Sequence, residues 1–279
     1  MLAEVLRGAT DYLAARGVEH PRLDAERLLS RALGLTRMEL YTQHDRPLTE
    51  DERASARELV QRRGRREPLA YVLGDWDFRR LTLATDARAL VPRPETEIVV
   101  ERCLALLDGV DSPHVVDVGT GTGAIALSLK HERPDARVTA TDISPAALEL
   151  ARANAVRLGL EVELIEADLL NGLAGPFDLV VSNPPYVLAD ELPELEPEVR
   201  DWEPELALLE AGQTAALVEA ARDVLDGWLV LEVHGLLAGK TVKRLEALGF
   251  TEVTIALDLG GLERVVEGRW KQTTPSGER

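Results

Sequence analysis

The alternation of short apolar strands with helical segments, which begins at His114, constrains the fold of this chain most. Runs rich in β-branched residues, such as Val115–Val118, are typical of strands buried on both faces. Strands separated by helices predict a doubly wound, mostly parallel α/β sheet. The last two strands are separated by a short stretch containing Gly260 and Gly261, so we expect the final one to be antiparallel. The predicted strands are 114–118, 137–141, 162–165, 178–183, 227–233, 251–257 and 263–269.

Polar or glycine-rich residues stand at the ends of several of these strands. Ligands of such sheets bind at the carboxyl ends of the strands, where the strand order reverses, so we expect these residues to line one site. Glycines after the first strand let the backbone turn tightly and approach a ligand closely. Asp142 follows the second strand, where a carboxylate can accept hydrogen bonds from a ribose diol. The residues predicted at this edge are Gly119, Thr120, Gly121, Thr122, Gly123, Asp142, Asp168, Leu169 and Asn183.

The strand 178–183 runs into Asn183-Pro184-Pro185-Tyr186. Prolines lack an N–H, so the strand cannot continue in its sheet. Asn183 Oδ1 and the Pro184 carbonyl can each accept one N–H of a carboxamide or an exocyclic amine, which would aim the nitrogen lone pair at an electrophile. Tyr186 adds an aromatic wall. The four residues by themselves are also compatible with a simple turn at the end of a strand.

Taken in this order, the segments resemble those of class I S-adenosylmethionine-dependent methyltransferases that modify an amide or amino nitrogen. More closely, the chain resembles the protein-(glutamine-N5) methyltransferases that act on peptide chain release factors. Specific motifs carry the resemblance from about residue 67 to the C-terminus, and the earlier residues are similar only in size and helical character. The motifs are Leu90–Glu97, Asp117–Ala126 and Ser182–Tyr186, with weaker support from Glu203-Pro204, Ala207-Leu208 and Leu231-Glu232.

The resemblance implies S-adenosylmethionine as the cofactor. It implies that Gly119–Gly123 border the amino-acid part of the cofactor and that Asp142 holds the ribose. It further implies that the corner at Asp168 and Leu169 borders the adenine and that Arg93 lies beside the cofactor. An arginine at such a place can instead form a surface ion pair.

The resemblance also implies an acceptor, the side-chain nitrogen N5 of the glutamine in a Gly-Gly-Gln motif of a release factor. We predict Asn183, Pro184 and Tyr186 as catalytic residues, and Asn183, Pro184, Pro185 and Tyr186 as the residues that bind the substrate. The sequence departs from the family at two places. Leu169 stands where relatives can have an aromatic residue, and Val233–Gly239 lacks the Gln-Gly expected after its strand.

The first part of the chain is predicted to be helical. Apolar residues share one face from Leu2 to Leu13 and a second face from Leu23 to Leu33, and Thr36 and Thr49 are candidate caps of two further helices. We interpret the leucines as the core of a small bundle. The predicted domains are a helical substrate-recognition domain over 1–67, a two-stranded β-hairpin connector over 68–92 and a methyltransferase domain over 93–279.

Two charged segments have open interpretations. The arginines 62, 63, 65 and 66 form either a solvated helix end or a contact for an acidic or RNA-rich partner. Asp190–Glu205 contains eight acidic residues and one basic residue, and is either a solubilising loop or a functional one.

The net charge of −17 disfavours DNA as a partner, because DNA-binding enzymes carry a basic surface. Residues 1–67 carry 13 arginines and 12 acidic residues, so the rest of the chain holds the negative charge. The single cysteine, Cys103, lies in an apolar helical pattern and indicates a reducing cytoplasm. No spacing of Cys or His suggests a metal site, no apolar run is long enough for a membrane span, and we expect a monomer.

Three alternative functions remain open from the sequence. A glutamine methyltransferase acting on a ribosomal protein would share the same motifs. A nucleic-acid adenine-N6 methyltransferase would use Asn183-Pro184-Pro185-Tyr186 on an exocyclic amine, and the acidic charge disfavours it. A non-catalytic S-adenosylmethionine-binding module is disfavoured because such a module would have no use for this tetrapeptide.

Overall fold

The computed structural model describes residues 1–258 and 260–272, and only the backbone of Leu236. The chain divides into two compact units. The helical unit comprises Met1–Trp76 and Leu195–Trp202, and the sheet unit comprises Asp77–Glu194 and the chain from Glu203 onward. The last seven residues of the predicted methyltransferase domain, and Leu259, lie outside the described residues.

The helical unit begins with four helices that match the predicted ones. The Thr36 and Thr49 hydroxyls accept hydrogen bonds from the third backbone N–H of α3 and α4, both at 3.2 Å, which satisfies one of the unpaired N–H groups of each helix start. The prediction that the leucines form the core of this bundle is confirmed, since Leu2, Leu13 and Leu28 are fully buried. The helices are α1 (Leu2–Ala14), α2 (Pro21–Leu33), α3 (Arg37–Thr42), α4 (Glu50–Gly64) and α5 (Leu69–Leu73).

The segment Leu69–Leu73 corrects the prediction of a purely two-stranded connector, because it is the short helix α5. Three consecutive side chains, those of Ala70, Tyr71 and Val72, are buried. A strand packed on a bundle by one face would bury only every second side chain. Gly74 then ends the helix in the left-handed region, at φ 79°. The predicted hairpin is confined to β1 (Asp75–Phe78) and β2 (Leu81–Ala84).

Arg63, at the arginine-rich end of α4, is neither exposed to solvent nor available to a partner protein. This side chain is buried, and its Nε donates to Asp24 Oδ2 at 2.7 Å. Its Nη1 donates to Glu198 Oε1, also at 2.7 Å, and Arg66 Nε reaches the same oxygen at 2.6 Å. Glu198 comes from the acidic segment, so the solubilising interpretation of that segment is wrong for this residue.

The sheet unit contains seven strands in the order β5-β4-β3-β6-β7-β9-β8. The strands pair in parallel except β9, which is antiparallel to both of its neighbours, as predicted for the final strand. This is the doubly wound class I methyltransferase sheet that the resemblance implies. The remaining elements in chain order are α6 (Thr96–Leu106), β3 (His114–Val118), α7 (Ala124–Glu132), β4 (Arg137–Asp142), α8 (Pro145–Leu158), β5 (Glu163–Glu166), β6 (Phe177–Ser182), α9 (Pro197–Arg200), α10 (Gln213–Val224), β7 (Leu225–Glu232), α11 (Gly235–Leu248), β8 (Thr251–Leu257) and β9 (Glu263–Trp270).

The strand order reverses at β3, which lies between β4 and β6. Val118, the last residue of β3, pairs with Thr141 on one side and with Ser182 on the other. The chain segments that leave these three strands therefore start side by side at one edge of the sheet. This register places the glycine-rich loop, Asp142 and Asn183 together.

Candidate active site

A cavity of about 240 Å³ opens at this edge of the sheet unit. It brings together most of the residues that the sequence predicts for the site. Two predicted residues, Gly123 and Tyr186, do not line it. The other three residues of Asn183-Pro184-Pro185-Tyr186 do. The predicted residues on its wall are Arg93, Gly119, Thr120, Gly121, Thr122, Asp142, Asp168, Leu169, Asn183, Pro184 and Pro185.

The glycine-rich loop approaches the cavity through its backbone. Gly119 and Gly121 have φ of 73° and 56°, a region that glycine enters without steric cost. The N–H groups of Gly119 and Thr120 both donate to the Thr141 carbonyl, at 2.8 and 2.9 Å, which ties the loop to β4. Gly123, at the start of α7, has a φ of 85°, a region in which a residue with a side chain would be strained.

Asp142 is held at the cavity wall by backbone groups. Its Oδ2 accepts from Gly121 N and its Oδ1 from Ser144 N, both at 2.9 Å. Burial raises the pKa of this carboxyl, against the lowering effect of the hydrogen bonds. The carboxylate is therefore fixed in direction beside the loop, with the acceptor chemistry that a ribose diol requires.

Asp117 is a buried acid of the site region for which the sequence suggested no role. Its Oδ2 accepts from the Thr120 hydroxyl at 2.7 Å and from Ala126 N at 3.1 Å. Its Oδ1 has no hydrogen-bond partner among the described residues, and burial raises the pKa of the carboxyl to about 7. The available signal was an acidic residue within the otherwise apolar strand β3.

The wall has the composition that S-adenosylmethionine requires. Asp142 offers an acceptor for a diol, and the glycine loop offers close backbone approach. Ile143 and Leu169 add apolar surface at the corner predicted for the adenine. The residues present therefore fit the cofactor, including the corner where the aromatic residue is replaced by leucine.

Asn183 is oriented by a hydrogen-bonded chain of side chains. Its Nδ2 donates to Thr96 Oγ1 at 3.2 Å, and the Thr96 hydroxyl donates to Glu232 Oε2 at 2.6 Å. Among the described residues, no hydrogen bond uses Asn183 Oδ1 or the Pro184 carbonyl. Both acceptors that the sequence predicts are thus available to a ligand.

Thr96 and Glu232 belong to segments that resemble family motifs, but the sequence predicted no role for either residue. Both side chains are buried, with Thr96 at the start of α6 and Glu232 at the end of β7. Burial raises the pKa of Glu232 to about 7, although the hydrogen bond from Thr96 lowers it. An acidic residue that ends an apolar strand was the signal for Glu232, and no local pattern identifies Thr96.

Arg93 meets a carboxylate, but that carboxylate belongs to the chain itself. Its Nη2 donates to Glu203 Oε2 at 2.6 Å, and the Glu203 side chain is 1% exposed. Burial raises the pKa of Glu203 despite the nearby guanidinium. The solubilising interpretation of the acidic segment is therefore wrong for Glu203 as well. A contact of Arg93 with the cofactor stays a prediction.

Tyr186 does not line the cavity. Its ring is stacked near the His234 ring, with 6.2 Å between centroids and 29° between planes. Burial raises the pKa of its hydroxyl to about 12, so the phenol remains neutral at physiological pH. Its predicted contact with the substrate amide stays a prediction.

Within the described residues, no group of three or more His, Cys, Asp or Glu side chains is arranged to hold a metal ion. In the same part of the chain, no helix has the length and apolar character needed to cross a membrane.

Known proteins match the chain along nearly all of its length. Residues 4–74 match the family described as the PrmC N-terminal domain, and residues 96–193 match the methyltransferase small domain. A release factor glutamine methyltransferase from Deinococcus radiodurans is 42% identical over 274 residues, which cover 96% of this chain and 98% of that protein. One from Geobacter sulfurreducens is 41% identical over 279 residues, covering 96% of each.

Among solved structures, a methyltransferase from Pyrococcus furiosus superposes with a TM-score of 0.50 at 20% identity. The match covers 68% of this chain and 89% of that one, and it supports the fold alone. The sequence identities carry the assignment further, because they extend through both the helical region and the sheet with its motifs. The chain belongs to the release factor glutamine methyltransferase family of S-adenosylmethionine-dependent enzymes.

Proposed function

We propose that the protein transfers the methyl group of S-adenosylmethionine to nitrogen N5 of the glutamine in the Gly-Gly-Gln motif of peptide chain release factors. One observation carries the proposal. Asn183 and Pro184 line the same cavity as the glycine loop and Asp142, and their acceptors Asn183 Oδ1 and the Pro184 carbonyl have no hydrogen-bond partner among the described residues. Two acceptors in a rigid frame match the two N–H bonds of a primary carboxamide.

The chain's own residues solve the main chemical difficulty of this reaction. An amide nitrogen is a poor nucleophile because its lone pair is delocalised into the carbonyl. Acceptors at Asn183 and Pro184 hold both N–H bonds, stabilise the positive charge that develops on nitrogen and direct its lone pair. Bound S-adenosylmethionine supplies an electrophilic methyl group. The new N–C bond forms as the S–C bond breaks, and the surplus proton leaves to water.

The roles of the remaining site residues follow from the same proposal. Gly119, Thr120, Gly121 and Thr122 contact the amino-acid part of the cofactor, and Asp142 binds the ribose. We propose the same contact with the amino-acid part of the cofactor for Gly123, at the end of the loop. Asp168 and Leu169 border the adenine, Arg93 lies beside the cofactor, and Pro185 and Tyr186 complete the acceptor side.

We further propose that residues 1–67 form a domain that recognises the release factor and that residues 93–279 form the methyltransferase domain. Residues 68–92 connect the two domains. The match of residues 4–74 to a separate family and the independent core of the helical unit support this division. A release factor substrate places the enzyme in the cytoplasm. We also propose that the enzyme acts as a monomer.

The test is transfer of a tritiated methyl group to a purified release factor, a ribosomal protein and DNA in parallel. We expect label only on the release factor, at the Gly-Gly-Gln glutamine when the peptides are mapped by mass spectrometry. A release factor with this glutamine replaced by alanine is the matched control. Label on the ribosomal protein or on DNA, with none on the release factor, would refute the proposal.

A further inference from the structure

Glu232 is a buried carboxylate that the proposed reaction does not use directly. It is 1% exposed and forms no salt bridge within the described chain. Its side-chain hydrogen bond comes from the Thr96 hydroxyl. A buried acid without an ion pair costs free energy, so its retention beside the site calls for a function.

The hydrogen-bond polarity at Thr96 supplies one. A threonine hydroxyl has a single proton, and an ionised carboxylate can only accept. When Glu232 is ionised, the Thr96 proton must point toward Glu232, so Thr96 Oγ1 presents only lone pairs to Asn183. The carboxamide of Asn183 can then approach Thr96 only with its NH₂ group. Oδ1, on the opposite side of the carboxamide, is directed away from Thr96.

We propose that Glu232 and Thr96 are positioning residues, which set the direction of the hydrogen bonds so that Asn183 presents its oxygen, and not its NH₂ group, to the acceptor amide. The identity of that acceptor rests on the proposed function. The orientation of Asn183 is a property of the free protein and is testable without any substrate.

Reversing the direction of the hydrogen bond between Thr96 and Glu232 should rotate the Asn183 carboxamide, so that its oxygen and NH₂ group exchange places. A protonated Glu232, or a glutamine in its place, can donate to Thr96 Oγ1. The Thr96 proton is then free to point at Asn183 Oδ1, which lets the NH₂ group face the cavity. Two NH₂ groups, those of Asn183 and the acceptor, would then oppose each other, and the acceptor would lose one of its two partners.

The charged surroundings of Glu232 set the pH at which this occurs. Burial and, to a smaller extent, Glu95 raise the pKa of Glu232, whereas the hydrogen bond from Thr96 and the charges of Arg264 and Arg93 lower it; the net pKa is about 7. Tyr186 also faces Glu232 but stays neutral in this range, since its own pKa is about 12. The orientation of Asn183 should therefore depend on pH near neutrality.

The chain has only three asparagines, Asn154, Asn171 and Asn183, which makes a direct measurement possible. Labelling with ¹⁵N-asparagine gives three side-chain NH₂ signals by NMR, and Asn183→Ala identifies the one of interest. We expect this signal to shift with pH with a midpoint near 7, to lose that titration in Glu232→Gln, and to exchange faster with solvent in Thr96→Val. Thr96→Ser, which keeps the hydroxyl, should restore the native signal.

Methyl transfer provides the second readout. Thr96→Val and Glu232→Gln should each lower kcat about tenfold, the scale of one misdirected hydrogen bond, with S-adenosylmethionine affinity unchanged. The double variant should lose no more than Thr96→Val alone, because Glu232 acts through the hydroxyl. In wild type, kcat should rise with pH through the titration of Glu232, and this limb should be absent in Glu232→Gln.

The outcomes separate this inference from the proposed function. An Asn183 signal that is identical in all variants and at every pH would overturn the inference, as would losses in kcat that multiply in the double variant. If the NMR signal responds as expected but the wild type methylates no release factor, the orientation mechanism stands and the proposed acceptor is wrong.

Discussion

The pKa values of two buried carboxylates, Glu26 in the helical unit and Asp117 in the sheet unit, shift in opposite directions. In the helical unit, Glu26 is 2% exposed; burial alone would raise its pKa, but hydrogen bonds from Tyr41, Arg22 and Arg37 bring it down to about 2. In the sheet unit, Asp117 is equally buried but is bonded to a hydroxyl and a backbone N–H, and its pKa is raised to about 7. Glu232, bonded to a hydroxyl, behaves like Asp117.

The side chains are similarly inaccessible to solvent, but the acids differ in their hydrogen-bond partners and in how deeply the surrounding protein encloses them. A guanidinium stabilises the charged form of a buried acid, whereas neutral donors only partly offset the loss of water. Glu26 is thus held as the anion of a fixed ion-pair cluster. The sheet unit keeps acids with a perturbed pKa beside a cavity, which is where functional groups concentrate.

The largest effect should come from breaking a buried ion pair of the helical unit. Arg63→Met leaves Asp24 and Glu198 without their shared guanidinium, which should lower the free energy of unfolding by about 3–5 kcal/mol. Arg65→Met, an exposed arginine in the same turn, should stay within about 0.5 kcal/mol of wild type. Equal urea stabilities of the two variants would show that the buried pair is not structural.

Asn183→Ala tests the sheet unit. Asn183 stands at the end of the hydrogen-bonded chain that begins at the buried acid Glu232 and passes through Thr96. Removing an acceptor that acts in the transition state should lower kcat by about 10²–10³-fold. Thermal stability and S-adenosylmethionine affinity should remain close to wild type, because the side chain faces the acceptor. Near-normal turnover at saturating release factor would exclude Asn183 from catalysis.

Asp142 is an intermediate case, since backbone N–H groups hold its carboxylate and no guanidinium does. Asp142→Ala should weaken S-adenosylmethionine binding by about 1.5–3 kcal/mol, the scale of a hydrogen bond to a charged group. Titration calorimetry measures this, with Glu161→Ala as the control on an exposed acid. Unchanged affinity would remove Asp142 from the cofactor site.

The smallest and most direct test compares the pH dependence of stability for one acid from each unit. The folded pKa of Glu26 lies near 2, below its ordinary value of 4.5, so its contribution is present above pH 4.5 and is lost as pH falls toward 2. The folded pKa of Glu232 lies near 7, so its contribution is present below pH 4.5 and is lost as pH rises through 7.

Glu26→Gln should therefore be less stable than wild type at pH 7, with a gap that narrows on acidification. Glu232→Gln should gain stability relative to wild type between pH 4.5 and 8. Urea unfolding at several pH values measures both differences, and the other titrating groups cancel between each variant and wild type. Parallel stability curves would mean that the two acids do not differ.

The sequence alone predicted the elements whose signals are local. The caps at Thr36 and Thr49, the seven strands and the glycine loop all follow from residues close together in the chain. The misassigned segment Leu69–Leu73 is five residues long, too short for apolar periodicity to distinguish a helix from a strand. Apart from Arg93, which only the family resemblance indicated, the predicted cavity residues follow or end strands at the same edge of the sheet.

The ion pairs and the orientation of Asn183 depended on the tertiary structure. Thr96 is separated from Asn183 by 87 residues and from Glu232 by 136, and Arg63 is separated from Glu198 by 135. Hydrophobic periodicity and turn chemistry are properties of neighbouring residues, so the sequence determined the sheet, the bundle and the sheet edge at which the predicted site residues meet. The charge state of a buried acid depends on which donors the fold brings within 3 Å of it, and only the folded chain decides that.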